Sequence, residues 1–445
     1  MVKQFNDAIE KYKEMILNAE RFIWEHPETG YKEYETSKYM EKIFTELGYT
    51  LVLAENIPGF YTVLDTNRPG PEVLVLAELD SVICPEHKAA NPDTGAVHSC
   101  GHNAQCAALL GIAAALKEPG VIDRLCGRIR LCAVPAEELI ELEFRTELKK
   151  QGKIKYFSGK SEFLSRGYFD GVDIAVVVHT NDGYKVGKGF VGSIVKRIIY
   201  KGISAHAGGA PWDGKNALYA ANCGINAINA IRETFKESDI IRVHPIITNG
   251  GAMVSAIPEK VVLESYVRGI SLDAMCEANQ KVNQALCGAA VSIGTNIEIC
   301  DTIGFSPLVN DKNLIDVVER AMALSLPEYK ISKNDSMSSI STDLGDLSCI
   351  MPAIHPYAGG ATGNFHGKDF EITNPVAACV DSAKLQLAML YLLLSDGAKE
   401  AKRIVGEYKS AFASKEEYFS FVDSIGLEGE RIEYLDGNVI KVNVM

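Results

Sequence analysis

The spacing of hydrophobic residues in the first 190 positions alternates between a helical and a strand-like pattern. The predicted helices cover residues 5–22, 34–47 and 104–116. The predicted strands cover residues 51–54, 59–65, 71–80, 128–135 and 173–178. The last three strands are almost continuously apolar, which is typical of strands buried inside a sheet. This alternation predicts an α/β domain.

From residue 187 the pattern changes to longer segments in the order β-α-β-β-α-β, which is the order of a ferredoxin-like domain. The predicted segments are the strands 191–202, 242–248, 261–269 and 297–302, and the helices 217–234 and 272–289. We therefore predict a catalytic domain in two parts, 1–188 and 303–398, an inserted domain, 189–302, and a C-terminal extension, 399–445. The extension carries a predicted helix at 417–425 and a hairpin at 431–444 with Asp436 and Gly437 at its turn.

Polar residues follow three of the buried strands. Asp80 ends the first, Glu137 and Glu138 follow the second, and His179 follows the third. Sites in open α/β sheets form beyond the carboxyl ends of strands, so we expect these side chains to lie together. A Glu-Glu pair offers one carboxylate to a metal and one for proton transfer. Taken alone, His179 is more typical of a core histidine than of a metal ligand.

The segment Cys100-Gly101-His102-Asn103 precedes the apolar helix, for which Asn103 is a predicted N-cap. A thiolate and an imidazole on a glycine-containing turn can converge on one metal ion. In a chain with eleven cysteines this segment is weak evidence by itself. Together with the acidic strand ends, it predicts a two-metal hydrolase.

A set of short motifs occurs in a fixed order along the chain: His26-Pro27-Glu28, Ala77-Glu78-Leu79-Asp80, Cys100-Gly101-His102-Asn103, Pro135-Ala136-Glu137-Glu138, His179, Gly202-Ile203-Ser204-Ala205-His206-Ala207, Ile257-Pro258, Ser341-Thr342-Asp343-Leu344-Gly345-Asp346 and Phe365-His366. With these motifs the chain resembles the M20 metallopeptidases over about residues 5 to 395, and within them the branch of aminobenzoyl-glutamate hydrolase and the M20-domain dipeptidases. The resemblance implies a two-metal aminopeptidase-like catalytic domain with an inserted ferredoxin-like lid, through which the family forms homodimers.

The resemblance also implies residue roles. Two divalent ions, zinc or manganese with cobalt or nickel as further candidates, would be bound by Cys100, His102, Glu138, His179 and His366. Glu137 would be the general base. His206, often supplied by the partner subunit, would stabilise the oxyanion formed on the substrate carbonyl. Arg268 would bind a free carboxylate of the substrate, unless it is an ordinary surface arginine. Asp80 would orient a metal-binding histidine, its alternative being a solvated strand end.

Two departures from the family pattern affect the substrate site. Ser255-Ala256-Ile257-Pro258 stands where the family commonly has Asn-Val-Ile-Pro, so the hydroxyl of Ser255 replaces an amide near the carboxylate site. Residues 141–157 form an insertion with five basic side chains. This insertion is predicted to be a solvated helix, the alternative being a flap that reshapes the pocket.

The composition of the chain indicates its size class, its expected type of partner and its expected cellular compartment. With 445 residues and 47% hydrophobic content, the chain can bury the core of two or more domains. A net charge of −13 disfavours nucleic acid and anionic membranes as partners. Eleven scattered cysteines suit free thiols in a reducing compartment. The charged N-terminus does not suggest a signal peptide, and the apolar run 385–394 is too short to span a bilayer, so a cytoplasmic location is expected.

Three hypotheses follow. The leading one is a metal-dependent hydrolase of an amide bond in a small N-acyl amino acid, an unusual dipeptide or an aminobenzoyl-glutamate-like conjugate. The second is a small-molecule-binding protein that retains the fold without turnover, against which Glu137 and the complete ligand set argue. The third, a metal-dependent aminopeptidase of another architecture, is disfavoured by the insert that carries His206.

Overall fold

The computed structural model describes residues 2–436 and 439–444. The helices are Val2–Glu10 (α1), Lys13–Glu25 (α2), Tyr34–Glu46 (α3), His102–Leu116 (α4), Leu142–Lys150 (α5), Gly159–Ser165 (α6), Ala217–Ile231 (α7), Leu272–Ile293 (α8), Lys312–Ser325 (α9), Leu344–Ser348 (α10), Ser382–Leu394 (α11), Lys399–Glu407 (α12) and Lys415–Ile425 (α13). The strands are Val52–Leu53 (β1), Phe60–Asp65 (β2), Glu72–Glu78 (β3), Val82–Ile83 (β4), Ala96–Val97 (β5), Arg128–Val134 (β6), Ile174–Val177 (β7), His179–Thr180 (β8), Lys185–Phe190 (β9), Gly192–Lys201 (β10), Arg242–Val243 (β11), Ile246–Asn249 (β12), Lys260–Gly269 (β13), Asn296–Phe305 (β14), Leu308–Val309 (β15), Ser332–Ser338 (β16), Ala353–Ile354 (β17), Tyr357–Ala358 (β18), Ala361–Thr362 (β19), Glu371–Ile372 (β20), Ile432–Leu435 (β21) and Val439–Val442 (β22).

The chain forms two compact units. The first comprises residues 1–189, 308–338 and 342–415, and the second comprises residues 190–307, 339–341 and 416–445.

The first unit is built on a mixed sheet of strand order β1-β2-β6-β3-β7-β17. Its central strands β6, β3 and β7 run parallel, and every residue of β3 and β7 is buried. All residues of α4 are buried as well, packed against β3, α2 and α11. An element that is apolar on every face belongs in the core rather than at the surface. The carboxyl ends of three parallel strands therefore meet at one edge, beside the start of α4.

The second unit has the element order β10-α7-β11-β12-β13-α8-β14 and an antiparallel sheet in which β13 and β14 flank β10. α7 and α8 pack against each other and against this sheet. Lys196 on β10 is fully buried, where its Nζ lies 2.6 Å and 2.7 Å from the two carboxylate oxygens of Asp301 on β14. Asn279 and Asn283 on α8 accept further bonds from Nζ. The charge of Lys196 is therefore paired with that of Asp301, because an unpaired charge in the core would be strongly destabilising.

The predicted C-terminal extension is divided between the units: residues 399–415 belong to the first unit, and the residues from 416 onwards belong to the second. Leu427 and Asp301 exchange backbone hydrogen bonds of 3.1 Å and 2.8 Å, and Arg431 N–H donates to the Ile297 carbonyl over 2.9 Å, so this segment runs along β14. β21 and β22 form an antiparallel hairpin. Gly437 of the predicted turn lies outside the described residues.

Three predicted elements need correction. The first helix is interrupted after Glu10 and resumes at Lys13. The predicted strand 242–248 is two short strands, since Pro245 has no N–H to donate to a ladder. Asn103 is not the N-cap of α4: the cap is Gly101, and the Asn103 side chain donates to Glu20 over 2.8 Å.

The apolar run 385–394 is part of a longer helical stretch. One helical stretch, Val376–Leu394, is long and apolar enough to cross a bilayer, because a π-helical segment, Val376–Asp381, extends α11. Within the described residues, 78% of its most apolar window is buried by protein. This packing is that of a core helix.

Candidate active site

The turn before α4 is shaped by a glycine. Gly101 has φ +82°, and a Cβ there would lie 2.4 Å from Cγ2 of Thr180. Any other residue would therefore have to displace the Thr180 side chain and adopt a strained left-handed backbone conformation. The turn places Cys100 before α4 and His102 at its first residue, and both are buried.

All five side chains implied as metal ligands, including that of His366, lie close together beside this turn. The potential ligand atoms of Cys100, His102 and His179 lie within 4.8 Å of one another, as do those of Cys100, Glu138 and His366. Sγ of Cys100 is 3.5 Å from Nε2 of His179. Oε1 of Glu138 is 2.8 Å from Nε2 of His366. The thiolate thus belongs to both groups, an arrangement suited to two cations sharing one ligand.

His102 is oriented by Asp80. Its Nδ1 lies 2.9 Å from the Asp80 carbonyl and 3.2 Å from Oδ1 of the same residue. Its buried Nε2 makes no hydrogen bond in the described part of the chain; Oε2 of Glu78, 3.3 Å away, lacks the alignment for one. A buried ring nitrogen without a hydrogen bond is costly unless something binds it. Nε2 is therefore free for a metal ion, as is usual where a carboxylate or carbonyl holds the other nitrogen.

The electrostatics of Cys100 and Glu138 suit cation binding. Burial raises the pKa of the Cys100 thiol, but the nearby histidines outweigh it and bring the pKa to about 6. Burial likewise opposes ionisation of Glu138, but His366 lowers its pKa to about 2. Both groups are thereby held as anions near neutral pH, the form in which they bind metals.

Glu137 has a different environment from Glu138. Burial, followed by the carboxylates of Glu78 and Glu138, raises the pKa of Glu137 well above its usual range. Its carboxylate lies within 4.8 Å of those of Glu78 and Asp343. Two adjacent glutamates with pKa values shifted in opposite directions are typical of a proton-transfer group beside a ligand.

Sequence reasoning missed a buried lysine in this cluster. Lys160 at the start of α6 lies 2.5 Å from Oε1 of Glu78 and also pairs with Oδ1 of Asp343. All three side chains are at most 1% exposed. Burial raises the pKa of Asp343 to about 7 against the effect of Lys160. Asp343 lay within a family motif, but its partner is 183 residues away, and no spacing signal could have found that pair.

In the second unit, His206 and Ser255 belong to neighbouring segments. The N–H of Ala207 donates to the Ser255 carbonyl over 2.9 Å, and His206 pairs with Ala256 in an isolated bridge. Nδ1 of the exposed His206 ring accepts the N–H groups of Gly208 and Gly209 at 3.2 Å and 2.8 Å. A neutral ring that accepts at Nδ1 carries its proton on Nε2, which makes Nε2 a donor.

Arg268 lies on β13 in the second unit, opposite Ser193 on β10 and Arg242 on β11. Its Nη1 donates to the carbonyl of Ser339 over 3.2 Å. The Arg268 side chain is half-buried.

The insertion is neither wholly solvated nor a loose flap. Within it, α5 buries Leu142, Arg145 and Leu148. Arg145 is completely buried, and its guanidinium donates to the carbonyls of Glu138 and Phe157. The prediction of a solvated helix holds for Lys149, Lys150, Lys153 and Lys155, which are exposed, and is wrong for Arg145. A basic sequence pattern does not reveal that backbone carbonyls elsewhere in the fold can bind one of its charges.

With the geometry established, comparison with known proteins decides the family. Residues 74–392, well over half of the chain, match the model of peptidase family M20/M25/M40. The chain belongs to this family. It is therefore an enzyme of the peptidase and amidohydrolase class, and the M20 resemblance seen in the sequence is confirmed.

Relatives within the family carry several specificities. This M20 chain is 26% identical to the Xaa-Arg dipeptidase of Mus musculus over 87% of its own length and 84% of the relative's. It is 24% identical to one of the two subunits of the p-aminobenzoyl-glutamate hydrolase of Escherichia coli, over 73% of this chain and 65% of that one. It shares its fold with a dinuclear metal-binding M20 peptidase of Bacillus subtilis, at 19% identity and a TM-score of 0.63, covering 86% of this chain and 99% of that one.

Proposed function

We propose that this M20 protein hydrolyses the amide bond of a small N-acyl amino acid, an unusual dipeptide or an aminobenzoyl-glutamate-like conjugate, using two divalent cations per subunit. The observation that carries the proposal is the convergence of two overlapping ligand groups on Cys100, beside a second buried glutamate, Glu137, within 4.8 Å of Glu138. The names of the relatives, a dipeptidase and an aminobenzoyl-glutamate hydrolase, support an amide substrate.

The residues present fit divalent cations. Thiolate, imidazole and carboxylate together suit zinc, and the carboxylate and imidazole donors also suit manganese. The unbonded Nε2 of His102 supports the same assignment. We assign Cys100, His102, Glu138, His179 and His366 as the ligands. Such cations, when bound, supply Lewis-acid activation of water and of the scissile carbonyl.

Glu137 is assigned as the general base. Its raised pKa suits a group that accepts a proton from water and then donates it to the leaving amine. Asp80 holds the ring of His102 through Nδ1, and its second oxygen accepts the N–H of Glu138 over 2.8 Å. One carboxylate thus orients two ligands.

In the second unit, His206 is assigned as the hydrogen-bond donor to the substrate oxyanion. Arg268 and Ser255 are assigned as the binding site for a free carboxylate of the substrate. The proton on Nε2 gives His206 the donor that this role needs. We further propose that the unit is a lid through which the protein forms homodimers. Support comes from large apolar side chains exposed on it, including Val254 at 99% and Trp212 at 76%.

The function itself is tested with metal-free protein reconstituted with Zn²⁺ or Mn²⁺ and offered N-acyl amino acids, dipeptides and aminobenzoyl-glutamate. We expect hydrolysis of at least one class, dependent on added metal. Esters and phosphate esters serve as controls for unselective metal-assisted hydrolysis. If only these controls react, or if turnover persists without metal, the proposal is wrong.

Arg268→Ala is expected to remove a preference for substrates with a free carboxylate. A guanidinium pairs with a carboxylate through two charge-assisted bonds, each contributing about 1.5–3 kcal/mol. The measurement compares kcat/KM for an N-acyl amino acid and its C-terminal amide in the wild type and the variant. Arg242→Ala, on the neighbouring strand, is the matched control and should keep the preference. Equal rates for acid and amide in the wild type would refute the assignment.

A further inference from the structure

The loop that carries the two glutamates has a strained backbone. Ala136 adopts φ +56°, a left-handed conformation that costs a non-glycine residue about 1–3 kcal/mol. Its N–H donates to Oε1 of Glu33 over 2.7 Å, and its carbonyl accepts the N–H of Gly159 over 3.1 Å. A conformation of this kind persists only where the surroundings hold it.

The next part of the loop is held from both sides at Glu138. Its N–H is bound by Asp80, as described above. Its carbonyl accepts a hydrogen bond from Nη2 of Arg145. The same guanidinium donates through Nη1 to the Phe157 carbonyl over 2.6 Å. Arg145 therefore links the loop before the inserted segment to the last residue of that segment. Because Arg145 is fully buried, these carbonyls replace water as partners of its charge.

The insertion is fixed to a neighbouring loop, so Arg145 is not free to swing away. Glu141, which precedes α5, accepts a hydrogen bond from Thr29 over 2.5 Å and pairs with Lys32 at 2.6 Å. Gly30, between them, lies directly against the guanidinium: a Cβ at that position would be 2.4 Å from Nη2 of Arg145. A side chain larger than that of glycine at position 30 would therefore clash with the Arg145 guanidinium.

We propose that Arg145 is a positioning residue for the metal site: it sets the backbone of Glu138 so that the carboxylate of that residue meets its cation. This inference rests on the proposed role of Glu138 as a ligand. A group that orients a metal ligand typically changes metal affinity or activity by about 10- to 100-fold when removed. An inserted helix would thus contribute directly to the metal site, although none of its side chains is a ligand.

The test measures Zn²⁺ affinity of metal-free protein by competition with a chromogenic chelator. Arg145→Met is expected to weaken Zn²⁺ binding by about 10- to 100-fold and to lower kcat more than it raises KM. Arg130→Met is the matched control, since Arg130 is also buried in the first unit and donates to the Tyr168 and Asp170 carbonyls. That control is expected to lose stability in thermal unfolding and to bind Zn²⁺ as the wild type does.

A third variant, Glu138→Gln, separates this inference from the function on which it rests. If Glu138→Gln weakens Zn²⁺ binding and Arg145→Met does not, the positioning role is wrong and the ligand set stands. If Glu138→Gln itself binds Zn²⁺ normally, the proposed ligand set fails and the inference fails with it. Equal weakening in Arg130→Met would also overturn it. Should Arg145→Met not fold, Arg145→Lys keeps the charge but cannot span both carbonyls, and the same loss is expected.

Discussion

Glu137→Gln is expected to lower kcat by about 10²- to 10⁴-fold, the usual contribution of general acid–base catalysis, while both metal ions stay bound. Gln is close to Glu in shape but does not take up a proton at the pH of the reaction. Since Glu137 is assigned no metal bond, its replacement should leave the ligand set intact. The measurement combines steady-state kinetics with elemental analysis of the same purified protein.

The neighbouring residue provides the control. Glu138→Gln changes the same chemical group one residue along, and we expect it to lose metal affinity, with activity falling as a consequence. Excess metal should therefore restore part of the activity of Glu138→Gln and none of that of Glu137→Gln. The roles would have to be exchanged if Glu137→Gln were the variant that lost metal. Full activity of Glu137→Gln would refute the mechanism.

The part of the site that could be predicted from sequence lies at the ends of buried strands. Near-continuous apolar runs marked β3, β6 and β7, and their parallel pairing brings together the residues that follow them. We therefore expected Asp80, Glu138 and His179 to be neighbours. Asp80 contacts Glu138, and potential ligand atoms of both Glu138 and His179 lie within 4.8 Å of one in Cys100. The position of each residue at the end of a strand was informative because neighbouring parallel strands end at the same edge of the sheet.

The charged residues that support the site could not be predicted in this way. Arg145 and Lys160 belong to helices with other basic or polar neighbours, a pattern that normally indicates a solvated surface. Their partners are a backbone carbonyl of Glu138 and a carboxylate of Asp343. Backbone carbonyls leave no mark in a sequence, and a pair separated by 183 residues has no periodicity to detect. Both buried charges became visible only with the fold.

His206→Ala is expected to lower kcat by about 10²- to 10³-fold, the effect of removing one preorganised oxyanion donor, with a smaller change in KM. A donor that strengthens its bond as negative charge develops stabilises the transition state more than the bound substrate. His206→Gln is the informative companion variant, because its amide can still donate a hydrogen bond and should recover part of the activity. A rise in KM with unchanged kcat would contradict the oxyanion role.

Mixing two inactive proteins tests whether this histidine acts across the proposed dimer. A heterodimer of Glu137→Gln and His206→Ala contains one site in which Glu137 and a His206 from the other subunit are both intact. If His206 acts across subunits, subunit exchange should therefore make one of the two sites in each heterodimer active. If it acts within its own chain, each site lacks one of the two groups and mixing restores nothing. Subunit exchange is verified independently by mass spectrometry of differently tagged chains, so that an absence of recovery assigns His206 to its own subunit.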